Sequence, residues 1–227
     1  MKHLLLVIGL IASASPGLVF AADAADTPPA AASATQNSAA GSKSPAKAPA
    51  TAPAAPAAKS ATPQVLVVTS MGNFTIELNA ERAPLTVAHF LKYVDQGQYT
   101  NTIFHRVVAN FVIQGGGFDS SSKLKPAPVK VVNESGNGLT NDRTTVGMAR
   151  SQDPHGSDAQ FYVNLYDNDA LNPSKTRWGY AVFGKVIQGM DVVDKIGNTP
   201  TGARGIFKED APLQPVVIER IERVPAP

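Results

Sequence analysis

The chain contains no cysteine. That excludes a disulfide scaffold, a thiol nucleophile and any Cys-ligated zinc or iron–sulfur site. It leaves the redox compartment open, because a chain without thiols is indifferent to oxidation. Charge of one sign is equally scarce. Twenty Lys+Arg face 18 Asp+Glu, for a net charge of +2 in 227 residues. A dedicated nucleic-acid binder needs a stronger basic footprint. Histidine occurs four times, as His3, His89, His105 and His155. His89 has no second ligand at i+4, so the H-E-x-x-H zinc pattern is absent, and metal ligation by the others is not expected. No G-x-S-x-G occurs, which removes the hydrolase nucleophile elbow. The run Gly115-Gly116-Gly117-Phe118 lacks the lysine of a P-loop and the spacing of a dinucleotide loop, and reads as a tight turn. Neither a metal nor a cofactor is expected.

Long apolar runs are missing too. Residues 1–21 open with Lys2, run apolar from Leu4 to Ile11, and end at Val19-Phe20-Ala21. This is the pattern of a secretory signal peptide, with cleavage expected after Ala21. Ser13, Ser15 and Pro16 interrupt it well short of the roughly 20 residues a membrane helix needs. Retention as an uncleaved anchor is the alternative. Residues 22–63 hold 18 Ala and 7 Pro among 42 residues, with no Val, Ile, Leu, Met or aromatic residue. Such a segment cannot bury a core and reads as a disordered linker. Recurring prolines at 45, 49, 53 and 56 oppose a poly-Ala helix.

Residues 64–227 carry equal numbers of acidic and basic side chains, 16 of each. A neutral segment of this length suits one core. Gln64 to Thr69 and Phe74 to Leu78 read as a hairpin around Ser70–Asn73. Pro84 starts a helix to about Gln96, with Leu85, Ala88, Phe90, Leu91 and Val94 at helical spacing. Ile103–Val108 and Phe111–Gln114 read as an antiparallel pair. Asp119 to Arg143 is irregular, with at most a short strand at Val129–Val132. Thr145–Ala149, Phe161–Leu165, Tyr180–Val186 and Val216–Val224 are further strands, and Asp191–Ile196 is a short helix. Strands dominate without regular crossover helices, so the expected class is mainly β. The economical form is a closed eight-stranded antiparallel β-barrel capped by two α-helices, because closure removes exposed edges.

One residue resists a bland reading. Arg106 lies in the apolar strand Phe104-His105-Arg106-Val107-Val108, and period two places Phe104, Arg106 and Val108 on one face. A guanidinium there is costly unless paired or set in a cleft. Gln114 in the next strand is a candidate partner, and Phe111 and Tyr162 could supply an apolar wall. Snorkelling to solvent is the commoner fate of a lone arginine, and each aromatic alone is more often core than site.

The segment from Phe104 through Gln114 to Phe118 resembles the signature of cyclophilin-type peptidyl-prolyl isomerases. The resemblance continues at Asn133–Leu139, Gly147–Arg150, Ala159–Asn164 and Tyr180–Val186, in the family's order, and covers essentially Gln64 to Val224. With the signal segment, it points to the bacterial periplasmic branch. It implies the cyclophilin-like barrel and a hydrophobic groove on its outer face. Arg106 would be the catalytic residue, oriented by Gln114. Phe111, Val112, Tyr162 and Leu171 would line a proline pocket. Ala149, Arg150 and Gln160 would meet the substrate backbone, and His105 and Tyr180 would border the groove. Val112 stands where the family usually has methionine, Tyr162 for phenylalanine and Tyr180 for the histidine of eukaryotic members. Ala170 replaces a tryptophan or phenylalanine, so weak cyclosporin binding is expected.

The implied function is isomerisation of X-Pro bonds during folding of exported proteins in the periplasm. The expected partners are proline-containing peptides and unfolded exported proteins, with no nucleic acid, no stable membrane insertion after signal cleavage, and a monomeric state. The second reading is a proline-segment-binding chaperone module with little turnover. A third, a tethered spacer, finds support only in the Ala/Pro segment.

Overall fold

The computed structural model of the chain describes residues 62–225. The signal segment at 1–21 and the Ala/Pro-rich segment, except for Thr62 and Pro63, lie outside the described residues.

Strands β1 (Gln64–Thr69) and β2 (Gly72–Leu78) form the opening hairpin, with Thr69 opposite Gly72. Its turn closes through Thr69, whose hydroxyl donates to the Gly72 carbonyl at 2.6 Å and accepts the Met71 N–H at 3.1 Å. Helix α1 (Pro84–Asp95) starts with proline, where the missing N–H would have had no intrahelical partner. A carboxylate from far along the chain caps it. Glu134 accepts from the N–H groups of Leu85 and Thr86 and from the Thr86 hydroxyl. Negative charge is favourable at that end of a helix. Leu85 is 53% exposed, although its spacing places it on the apolar stripe, because it falls on the helix side shared by the exposed Ala88, Lys92 and Asp95.

The remaining elements are β3 (Thr102–Val108), β4 (Val112–Asp119), β5 (Thr145–Met148), β6 (Phe161–Asn164), β7 (Val182–Gln188), α2 (Met190–Gly197), β8 (Thr201–Arg204), β9 (Phe207–Pro212) and β10 (Val217–Arg223). Eight strands close a barrel in the order β1-β10-β3-β4-β6-β5-β7-β2. All its pairings are antiparallel. This is the mainly β, eight-stranded architecture with two helices that the sequence implies. Inside, Phe90 of α1 lies 5.7 Å from Phe161, 5.1 Å from Phe183 and 5.2 Å from Tyr99, ring centre to ring centre. Each fully buried aromatic of this kind stabilises the fold by about 1.5–3 kcal/mol. Val193 and Ile196 of α2 join the same core.

Several sequence expectations are corrected. The glycine run does not end the strand, because Gly115, Gly116 and Gly117 lie within β4. Small size is what the barrel needs there. A Cβ at Gly116 would meet the Tyr99 ring at 2.9 Å, and one at Gly117 would press on the Gln160 side chain at 2.5 Å. Gly116 also holds φ +88, which glycine adopts at little cost. Val129–Val132 forms no strand, only one bridge from Val131 to Ser157. Strand β7 starts at Val182 rather than Tyr180.

Phe104 and Arg106 do not share a face. The β3–β4 register shifts between them, with Phe104 opposite Gly115 and Arg106 opposite Gln114. This irregularity breaks the period of two. Phe104 and Val107 point into the core, while Arg106 and Val108 stay partly exposed. The hairpin of β8 and β9 has no counterpart in the sequence reading. It forms a separate two-stranded sheet packed over β3.

Candidate active site

Barrel register brings the site together. Arg106 pairs with Gln114, Gln114 with Tyr162, and Tyr162 with Gly147. One row of residues therefore crosses β3, β4, β6 and β5. Strand β5 contributes a glycine because the ring of Tyr162 occupies the space a side chain would need.

Around this row sits a second apolar cluster, separate from the barrel core. Val112, Ala149 and Tyr162 are buried in it, and Phe111, Leu171 and Tyr180 pack against them half-buried. All six are residues that the resemblance assigns to the groove. Tyr162 and Tyr180 meet edge to face at 6.1 Å. A turn of 3₁₀ helix at Asp169–Leu171 brings in Leu171, whose carbonyl accepts the Tyr180 N–H at 2.9 Å.

Polar groups rim the cluster. The Arg106 guanidinium lies 5.8 Å from the centre of the Phe111 ring and is 40% exposed. Arg150 stacks on Tyr180 at 4.6 Å and donates to the carbonyls of Gly179, Trp178 and Ser151. Gln114 donates to Gln160 at 3.4 Å. No hydrogen bond joins it to Arg106, contrary to the sequence expectation. The partner of Arg106 is Asp210 on β9, Nε to Oδ2 at 3.5 Å.

A hollow of about 340 Å³ adjoins the cluster, lined by Gln114, Ala149, Arg150, Gln160 and neighbouring polar residues. A larger one of about 680 Å³ lies between β2, β7 and the 138–142 loop and shares no residue with the aromatic cluster. The smaller hollow is the relevant one, since it continues the row of site residues.

His105 is set apart. It is 7% exposed and stacks on Phe207 of β9 at 5.6 Å, with Phe118 at 4.8 Å. Burial, and then the neighbouring Arg106 charge, lower its pKa to about 4. It is a neutral wall beneath the β8–β9 hairpin rather than part of the open groove. Burial, with Tyr180 beside it, holds the Tyr162 hydroxyl protonated well above the usual phenol range. Its proton goes to Asn141, a fully buried side chain. Among the described residues no three His, Asp or Glu side chains gather closely enough to hold a metal ion.

Asn141 and Asp210 are site-supporting residues that the sequence reading missed. Asn141 sits in an irregular polar stretch with no pattern around it. Asp210 lies on a short, partly exposed strand, and only Gly205, between Arg204 and Ile206, hints at the turn.

The sequence model for the family described as cyclophilin type peptidyl-prolyl cis-trans isomerase/CLD matches residues 64–223. The chain belongs to the cyclophilin-type peptidyl-prolyl cis-trans isomerases. It is 48% identical over 162 residues to a peptidyl-prolyl cis-trans isomerase of Acinetobacter baylyi, covering 71% of this chain and 86% of that one. It is 47% identical over 156 residues to peptidyl-prolyl cis-trans isomerase B of Escherichia coli, covering 67% and 94%. It is 43% identical over 162 residues to peptidyl-prolyl cis-trans isomerase A of Dickeya dadantii, covering 71% and 85%. Crystal structures of a Cryptosporidium parvum cyclophilin-type isomerase match with TM-scores of 0.60 and 0.57 at 26% and 27% identity. They cover 73% and 70% of this chain and 99% and 96% of theirs, and the second was determined in the presence of the dipeptide Ala-Pro. This cyclophilin has the family's barrel and its cis-trans isomerase activity toward X-Pro bonds.

Proposed function

We propose that this isomerase works on exported, proline-containing chains outside the cytoplasm, and that Arg106 stabilises the twisted amide. The observation that carries the mechanism is the placement of one half-exposed guanidinium against Phe111, at the edge of the apolar cluster. The Ala-Pro dipeptide named with the Cryptosporidium relative supports proline-containing segments as the ligand class. Export rests on the signal pattern at residues 1–21.

Rotation about an X-Pro bond breaks amide resonance, against a barrier of about 18–20 kcal/mol. No proton has to be transferred and no covalent intermediate is needed. As the bond twists, the prolyl nitrogen pyramidalises and regains its lone pair. A fixed donor aimed at that lone pair binds the twisted state more strongly than either planar one, and only such a difference accelerates the step. Arginine suits the task because it stays charged and presents a rigid fork of N–H groups. Phe111, Val112, Tyr162 and Leu171 hold the prolyl ring while the preceding carbonyl turns. Gln114, Gln160, Arg150 and the Ala149 backbone engage the chain on either side. The apolar wall strengthens the arginine's interaction by excluding water.

The test is cis-trans exchange of an Ala-Pro-Phe peptide followed by NMR, with the chain from Ala22 to Pro227 and its Arg106→Ala variant. The variant is expected to lose about 10²–10³ in rate, the scale for removing one preorganised donor. Binding of the peptide without accelerated exchange by the parent chain would instead favour the proline-binding module. For export, the mass of protein recovered from an expressing bacterium should correspond to a chain starting at Ala22. Recovery of the chain from the cytosolic fraction with Met1 to Ala21 still attached would overturn it, whereas the same mass in the membrane fraction would favour the uncleaved anchor.

A further inference from the structure

We propose that Asp210, on the β8–β9 hairpin, is a positioning residue for Arg106. The inference rests on the reading of Arg106 as the catalytic group.

Four observations converge on it. The nearest approach of the Asp210 carboxylate to the Arg106 guanidinium is at Nε, Nε to Oδ2 at 3.5 Å. The expected partner is engaged elsewhere, since Gln114 donates to Gln160. Asp210 holds φ +58, left-handed backbone inside a strand. Non-glycine residues rarely adopt it, and such outliers persist where surrounding structure enforces them. Finally, the hairpin is seated. Phe207 stacks on His105 at 5.6 Å and meets Phe118 edge-on at 5.0 Å. The residue next to Arg106 therefore anchors the strand that carries Asp210.

Arginine has a long flexible stem, and at 40% exposure little packing restrains its head. An anion at Nε restricts the planar group to orientations in which the terminal N–H groups remain free. Those N–H groups can then face the groove beside Phe111. The carboxylate also subtracts from the field of the cation, so the two effects of Asp210 on the rate have opposite signs. Orientation is the larger effect in this proposal. The register shift beside Arg106 and the left-handed backbone of Asp210 itself are both local departures from regular strand geometry, and they meet at this contact.

The experiment uses the chain from Ala22 to Pro227 and measures kcat and KM for an Ala-Pro-Phe peptide by NMR exchange. The variants are Asp210→Asn, Asp210→Gly and Arg106→Ala. Asn and Gly both accept left-handed backbone, so each removes the carboxylate without forcing the strand to refold. Both are expected to lower kcat about fivefold, the upper range for a partly exposed ion pair, with KM unchanged. The Arg106 Nε–Hε resonance should shift and broaden in both. Phe207→Ala, which keeps Asp210 but removes the stack that seats it, should lower kcat in the same direction. An unchanged or raised kcat in Asp210→Asn and Asp210→Gly, with Arg106→Ala inactive, overturns the role of Asp210 alone. Full activity in Arg106→Ala overturns the reading of Arg106 and this inference with it.

Discussion

The hydroxyl of Tyr162 donates to the side-chain oxygen of Asn141 at 2.5 Å, and both side chains are buried. Asn141 does more than accept this proton. Its amide donates to Asn172 at 3.0 Å and to the Tyr180 carbonyl at 3.4 Å. Its own carbonyl accepts the Asn168 N–H, and Asn168 donates in turn to the Phe111 carbonyl at 3.0 Å. One buried amide thus links the floor of the apolar cluster, the turn bearing Leu171 and the backbone of two rim aromatics. A buried network of this kind rigidifies a site when every member is satisfied.

Replacing Tyr162 by Phe removes the hydroxyl and leaves Asn141 Oδ1 with only the longer bond from Asn164 at 3.3 Å. The expected loss is about 1 kcal/mol of stability. Urea denaturation of parent and variant measures it. Asn141→Ala should cost more, about 2–3 kcal/mol, because several buried groups then lose partners. Equal stability of parent and both variants would show that the network does not hold the pocket.

Gly147 gives a second test. A methyl group there would overlap the Tyr162 ring. Gly147→Ala should displace that ring toward the groove and raise KM for an Ala-Pro-Phe peptide several-fold, while Arg106 is untouched. Overpacking of this type also costs about 1–3 kcal/mol of stability. Steady-state kinetics at a temperature where the variant is folded separates the two effects. A KM equal to the parent's would remove Tyr162 from the pocket floor.

His105 predicts a pH dependence. Its ring stays neutral in the folded protein down to about pH 4, whereas in the unfolded chain it takes up a proton near pH 6.5. Protonation therefore favours the unfolded state first. The stability present above pH 6.5 should fall as the pH drops toward 4, by about 3 kcal/mol, and the contribution then levels off. His89 is lowered in the same direction by burial, so its contribution has the same sign. Urea midpoints between pH 7.5 and 4, for the parent and His105→Phe, isolate the His105 share. A variant with the parent's slope would show that the ring under the hairpin is not the titrating group.

Much of the fold was legible because its signals are local. Alternating apolar residues from Val65 to Leu78, proline at the start of α1 and the spacing of Phe90, Leu91 and Val94 each report on their own neighbourhood. The groove residues Phe111, Val112, Ala149, Tyr162, Leu171 and Tyr180 were named from family motifs; strand register places Val112 and Tyr162, and the strand ends and loops beside them bring in the other four. Where prediction failed, the cause was long-range. The carboxylate that caps α1 comes from Glu134, 49 residues beyond Leu85, where no local pattern announces it. Gln114 makes its side-chain hydrogen bond to Gln160, 46 residues later and packed beside Gly117, rather than to Arg106.

The sequence by itself determined the class of chain. Its segmented composition, its period-two strands and the motif from Phe104 to Phe118 specify a mainly β isomerase domain after an apolar-poor segment. It also determined the chemistry available, since no thiol exists and the arginine stands in an otherwise apolar strand. Tertiary structure decided how that arginine is used. The irregularity between Phe104 and Arg106 turns the guanidinium out of the core, and the hairpin of β8 and β9 brings Asp210 to it across more than a hundred residues. Neither can be read from local pattern. Register is settled by the closure of the whole barrel, and a six-residue, partly exposed strand such as β9 shows no clear periodicity until it has a surface to pack on.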